Sequence, residues 1–255
     1  RGGAGGVIGA EMAAKSPPDG YTLLVAAGSF WIGPLLRDTP YDPVRDFSPI
    51  SMVSRAPNVV AVHPSLPVKS VKELIALAKA RPGVLNYSSG ATGSSSHLSG
   101  ELFKALAGVN IVRIPYKGTA PALNDLIAGQ VHLMFPTASA VAPHLKSGRL
   151  RALGVTSAEP SVLFPGLPAV AAMGLSGYEA VSMTGIFAPA GTPATIINRL
   201  NREVVRVLNM ADVKEKLFRL GVEPVGSSPE ELAAKIKYEM TRLGKVIRDA
   251  GVRAD

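Results

Sequence analysis

The sequence predicts an α/β protein with mostly parallel sheets. Short apolar, β-branched runs alternate with helix-patterned stretches along most of the 255 residues. Helix-start signals recur just after loops of small residues. Gly (26) and Pro (21) punctuate the chain often enough to separate many short elements, as a succession of βα units requires.

Taken in order, "YTLLVAAGS" (21–29) reads as a buried strand ending in small residues, and "NVVAVHP" (58–64) as a β-branched strand stopped by Pro64. "SVKELIALAKA" (70–80) has Ser70 as N-cap, Glu73 at the capping-box position and apolar residues at helical spacing. A strand follows at 84–87, then a Ser/Gly/Thr loop at 88–96, then a helix to Ala107. "IVRIPYKG" (111–118) is a strand into a turn, and "APALNDLIAG" (120–129) is a short helix stopped by Gly129. "VHLMFPT" (131–137) is a strand, "ASAVAPHLKSG" a helix ending at Gly148, and "LRALGVTS" (150–157) a strand. After a Pro- and Gly-rich stretch, 178–190 is extended. Thr192 as N-cap with Pro193 at the first helical position opens the next helix. "ADVKEKLFRLG" and "SPEELAAKIKYEMTRLGKVIRDAG" are amphipathic helices with the short strand "VEPVG" between them.

Composition narrows the function. The absence of cysteine excludes disulfides, thiolate metal sites and cysteine nucleophiles. No run of about 18 apolar residues occurs, so direct membrane insertion is not expected. The formal charge of +8 suits either a soluble basic surface or an anionic partner. Lys and Arg are dispersed, with no basic block interleaved with aromatics, so nucleic acid is not an expected partner. The chain opens on "RGGAGGVIGAE" without Met, which reads as a processed or truncated start.

Chemical motifs are sparse. "GGAGG" (2–6) fails the G-x-G-x-x-G spacing because Ile8 stands where the third Gly belongs, so a structural turn is the expected role. The serines at 88, 89 and 94–96, with His97, lack a G-x-S-x-G elbow. No paired His spacing marks a metal, and no carboxylate pair marks an acid/base couple. No catalytic residue, metal or cofactor is expected. The run of hydroxyls and backbone N–H groups at a helix start suits an anion, since the helix dipole adds positive potential there; plain N-capping is the competing role. The loops at 26–30, 88–96, 116–119 and 135–139 all follow strands, where α/β sheets place their ligands.

Several blocks in fixed order, "RGGAGGVIGAEMAAKSPPDGYTLLVAAGS", "YDPVRDFSPISMV", "LNYSSGATGSSSHLSGELFKALAG", "VRIPYKGTAPALNDLIAGQV", "RALGVTS" and "GIFAPAGTPATIINRLNREV", resemble the Bug (TctC-type) solute-binding proteins of tripartite tricarboxylate transporters. The resemblance spans essentially the whole chain. It implies a type II periplasmic-binding-protein fold: two α/β domains, 1–59 with 187–255 and 60–186, and a ligand cleft between them. It also implies a monomeric periplasmic receptor that captures a small carboxylate, such as a di- or tricarboxylate or an aromatic acid, for the membrane components of the transporter. The strand and P-x-G-G loop with which the family begins would lie ahead of Arg1. The expected ligand-binding residues are Ser29 and Phe30 in the first domain. In the second they are Ser88, Ser89, Thr92, Gly93, Ser94, Tyr116, Gly118, Thr119, Thr137 and Ser139. Many family members carry an Asp where Pro136 stands and a Trp where Met183 stands, so the resemblance implies no counter-ion for a ligand amine. Met183, Phe30 and Phe135 are expected to form an apolar wall. The alternatives are a ligand-sensing domain of a transcriptional regulator and an enzyme on the same scaffold.

Overall fold

The computed structural model describes residues 6–252. In chain order the elements are α1 (Val7–Ala14), β1 (Leu24–Ala27), α2 (Ser29–Leu36), β2 (Phe47–Pro57), β3 (Val59–Val62), α3 (Val71–Ala80), β4 (Asn86–Ser89), α4 (Ser95–Ala107), β5 (Val112–Pro115), α5 (Thr119–Ile127), β6 (Leu133–Met134), α6 (Ala138–Lys146), β7 (Arg151–Val155), β8 (Val181–Pro189), α7 (Ala194–Leu208), α8 (Ala211–Arg219), β9 (Glu223–Pro224) and α9 (Pro229–Asp249). They divide into two compact units. Unit 1 takes the chain up to Arg55 and again from Met183 onward, and unit 2 is Ala56–Ser182.

The sheet of unit 1 runs β1-β8-β2-β9. β1 is antiparallel to β8, with Leu24 opposite Phe187, and β9 is antiparallel to β2. Its core is aromatic: the ring of Phe30 lies 5.2 Å from Tyr41, 4.8 Å from Phe47 and 5.0 Å from Phe187. α9 starts with a complete capping box. Ser228 Oγ accepts from the Glu231 N–H at 3.1 Å and Glu231 Oε2 accepts from the Ser228 N–H at 2.8 Å, which satisfies two of the donors a helix start leaves open. At α7 the expected cap is displaced by one residue. Pro193 is the N-cap, and the Thr192 hydroxyl instead donates to the Pro189 carbonyl at 2.7 Å. Most of "GGAGG" lies outside the described residues. Gly6 is the N-cap of α1 at φ 90°, a conformation that favours glycine.

The sheet of unit 2 runs β5-β4-β6-β3-β7. β4 is parallel to β5 and to β6, whereas β3 is antiparallel to β6 and to β7. The expectation of mostly parallel sheets is corrected here. Parallel pairing needs a crossover of a dozen or more residues between strands, which the β4-α4-β5-α5-β6 stretch supplies, with β4 lying between β5 and β6 and parallel to both. β3 lies between β6 and β7 and runs against both.

α4 lies close on β4. A Cβ added at Gly100 would fall 2.4 Å from Cε2 and 2.6 Å from Cζ of Tyr87, whose ring is fully buried. Gly100→Ala should therefore destabilise the protein by about 2 kcal/mol: overpacking costs about 1–3 kcal/mol, and the helix-propensity gain of up to about 1 kcal/mol offsets only part. A thermal melt equal to or above that of the parent protein would refute this.

Thr156 ties together the two segments by which the chain enters and leaves unit 2. Its Oγ1 accepts from the Asn58 N–H at 2.7 Å and donates to the Ala180 carbonyl at 2.6 Å. Its own N–H donates to the Asn58 carbonyl at 2.9 Å, and the Ala180 N–H donates to the Thr156 carbonyl at 2.8 Å. All four bonds are made within unit 2.

Candidate functional site

The parallel strands β4, β5 and β6 each end in a loop that turns directly into a helix. The starts of α4, α5 and α6 therefore lie at one end of the unit 2 sheet. The first two loops approach closely: a Cβ at Gly90 would lie 3.7 Å from the carbonyl carbon of Gly118. Each helix start carries partial positive charge and N–H groups without intrahelical acceptors.

In the loop after β4, much of the expected cradle is bonded to itself. Ser88 and Ser89 are fully buried. The Ser88 hydroxyl donates to the Ala122 carbonyl at 3.0 Å, and the Ser89 hydroxyl to the Gly90 carbonyl at 3.1 Å. The Gly90 N–H donates to Ser96 Oγ at 3.1 Å, and the Gly93 N–H to His97 Nδ1 at 3.1 Å. Ser94 is the N-cap, its Oγ accepting from the His97 N–H at 3.4 Å. Thr92 Oγ1 accepts from Arg113. Left over are the N–H and hydroxyl of Ser95 and the N–H of Ser96, which have no hydrogen bond among the described residues. Ser95 was not among the expected site residues, since in a run of three serines nothing in the sequence says which one caps and which stays open.

The loop after β5 behaves similarly. The Tyr116 N–H donates to the Ser89 carbonyl at 3.0 Å and its hydroxyl to Asp125 Oδ2 at 2.6 Å. The bond to Asp125 and burial push the phenol up to about 12. Both Tyr116 donors are thus committed. Gly118 is the N-cap of α5 with extended backbone, and the exposed Thr119 keeps its hydroxyl and N–H open. After β6, Thr137 is the N-cap of α6 without a side-chain cap bond, and its Oγ1 lies 3.4 Å from Ser139 Oγ. The N–H of Ser139 has no acceptor among the described residues.

Behind these loops sits a buried polar group that the sequence did not reveal. His97 is 2% exposed. Burial, with help from Arg113, pulls its imidazole down to about 4, so the neutral ring offers Nδ1 to Gly93. The Tyr87 hydroxyl donates to Glu101 Oε1 at 2.6 Å, and Lys104 Nζ donates to both Glu101 oxygens at 3.0 and 2.9 Å. Burial, then Glu101, pushes the Tyr87 phenol up. Among the described residues no cluster of three His, Cys, Asp or Glu is placed to hold a metal, and no helix is long and apolar enough to cross a membrane.

In unit 1, Ser29 is exposed at the first position of α2, whereas Phe30 is 4% exposed and belongs to the aromatic core. A hollow of about 280 Å³ is lined by β1 together with Gly6, Gly9, Ala10, Ser29 and Phe30. The side chains expected to form an apolar wall are all core residues: Met183 is 4% and Phe135 0% exposed.

Residues 1–252 match the family described as "Tripartite tricarboxylate transporter family receptor". Protein BugT of Bordetella pertussis is 39% identical over 99% of this chain and 78% of its own length. Among solved structures, R. palustris Rpa4515 with adipate is 40% identical, superposes with a TM-score of 0.84 and covers 100% of this chain and 86% of its own. MatC from Rhodopseudomonas palustris with bound malate is 31% identical at a TM-score of 0.77, covering 96% of this chain and 85% of its own. With a match from residue 1 to residue 252 and helix starts gathered at one sheet end, the chain belongs to the receptor family of the tripartite tricarboxylate transporters.

Proposed function

We propose that this protein is a monomeric periplasmic receptor that captures a small aliphatic carboxylate and delivers it, without chemical turnover, to the membrane components of a tripartite transporter. The observation that carries the reading is the set of three helix starts, α4, α5 and α6, whose open N–H groups lie beside the uncommitted hydroxyls of Ser95 and Thr119. Hydrogen bonds from such donors to an ionised oxygen are roughly twice as strong as bonds between neutral groups. Ligand contact is assigned to Ser95, Gly118, Thr119, Thr137 and Ser139 in unit 2, with Ser29 a separate candidate within unit 1. Ser88, Ser89, Thr92, Gly93 and Ser94 hold the loop, and Tyr116 packs against the core of unit 2. The adipate and malate held by the two relatives support a carboxylate ligand. The burial of Met183, Phe30 and Phe135 favours aliphatic over aromatic acids. Calorimetry of the full-length gene product against succinate, malate, adipate and benzoate tests the reading. Binding of at least one aliphatic acid is expected, and binding of none would overturn it.

Pro136 sharpens the expectation. It offers neither charge nor an N–H donor, and its carbonyl already accepts from the Val59 N–H at 2.9 Å. A ligand ammonium there would lose hydration without gaining a counter-ion, at a cost of several kcal/mol. Amine-free dicarboxylates should therefore outcompete aspartate and glutamate by roughly a hundredfold. Equal or tighter binding of the amino acids would refute the role given to Pro136.

A further inference from the structure

We propose that Arg113 is the positioning residue of the loop after β4 and, at the same time, the fixed positive charge that favours an anionic ligand there. The charge half of this inference rests on the carboxylate-receptor reading; the positioning half does not.

Arg113 stands on β5 opposite Tyr87, two residues before the end of the β4–β5 pairing at Ser89 and Pro115. From there its guanidinium grips three points of the neighbouring loop. Nε donates to Ser89 Oγ at 2.8 Å, Nη2 to the Gly90 carbonyl at 3.2 Å and Nη1 to Thr92 Oγ1 at 3.3 Å. Only a planar fork of donors reaches all three; a lysine ammonium is a single point. The grip ends one residue before Gly93, whose N–H is held in turn by His97. The stretch leading to Ser94 and Ser95 is thereby fixed from behind.

The acceptors are all uncharged. Among the described residues no carboxylate lies within ion-pair distance of Arg113. The carboxylate that faces it electrostatically, Glu101, is already bonded by Lys104 and by the Tyr87 hydroxyl, and His97 is neutral. Two cations thus share one carboxylate, which leaves a net positive charge behind the loop. Burial disfavours that charge and lowers the guanidinium pKa. A part-buried cation lacking a partner is costly, and a ligand carboxylate in front of the loop supplies the missing one.

The test compares the full-length protein with Arg113→Lys and Arg113→Gln, using adipate as the probe in calorimetry and amide hydrogen exchange over residues 90–96 without ligand. Circular dichroism checks that each variant is folded. Lysine keeps the charge and loses the fork; glutamine loses both. Faster exchange in both variants is expected. The adipate Kd should rise about threefold with lysine and tenfold or more with glutamine. Unchanged exchange in folded Arg113→Gln would overturn the positioning role. Equal Kd values for the two variants, or a glutamine Kd within twofold of the parent, would overturn the charge role. If the parent binds neither adipate, succinate nor malate, the receptor reading fails and the charge role with it, while the exchange measurement still decides whether Arg113 positions the loop.

Discussion

Phe30→Ala should cost about 4 kcal/mol of folding stability and leave carboxylate affinity nearly unchanged. Phe30 was expected in the ligand site, but its ring is enclosed by Tyr41, Phe47 and Phe187, with Trp31 edge-on at 6.3 Å. The Tyr41 hydroxyl donates to the Phe30 carbonyl at 3.0 Å, fixing the backbone beneath that ring. Removing a fully packed phenyl group loses its transfer free energy and leaves a cavity, together about 3–5 kcal/mol. The neighbours sit on α2, β2, β8 and the segment before β2, so no single one can swing in to fill the space. Urea denaturation measures the loss, and calorimetry at low denaturant measures affinity. A variant as stable as the parent to within about 1 kcal/mol, yet weakened in binding, would return Phe30 to the ligand site.

Acid should weaken the protein through His97 by about 3 kcal/mol. The folded imidazole titrates at about 4, against an ordinary value of 6.5. Its burial is the chief cause; Arg113 and Lys104 add to the shift and Glu101 opposes it. As pH falls below 6.5 the unfolded chain takes up this proton first, so the folded state loses ground until it too is protonated near 4. The contribution is whole above the upper value, declines through the window and is constant below it. At about 1.36 kcal/mol per pKa unit, the integrated loss is about 3 kcal/mol. His97→Asn separates this effect from the general acid sensitivity of carboxylates, because an amide oxygen can still accept from the Gly93 N–H and does not titrate. The stability gap between parent and variant should shrink by about 2.5 kcal/mol between pH 7.5 and pH 4.5. A gap independent of pH would sink the assignment.

The helices with side-chain signals were legible in the sequence. Ser70 with Glu73 and Gly129 after α5 sit where their chemistry predicted. α2 was not. "SFWIGPLL" is apolar on every face and contains Gly33 and Pro34, so neither periodicity nor capping marks it as a helix. Its burial in the core, not its propensity, makes it one. The loops after β4, β5 and β6 were located correctly on the chain, but the division of labour inside them was not visible. Ser88 and Ser89 look like donors for a ligand until the packing of α5 and the reach of Arg113 take their oxygens inward. Both depend on the register of β4 against β5, which is a tertiary fact. The paired strands β1 and β8 illustrate the same limit, since nothing local in either one names its partner.

The bonds from Thr156 to Asn58 and Ala180 also imply an order of events during synthesis. They close unit 2 at its neck, so a single uninterrupted stretch, 56–182, holds both ends of that unit and the residue that joins them. Once Ala180 has left the ribosome, nothing still to be translated is needed for those contacts. The sheet of unit 1 cannot close so early: Leu24, made first, pairs with Phe187, and β9 with its capping helix comes later still. Unit 2 is therefore the first of the two whose contacts can all be made, and the early strand of unit 1 has no partner until 181–189 has followed it off the ribosome.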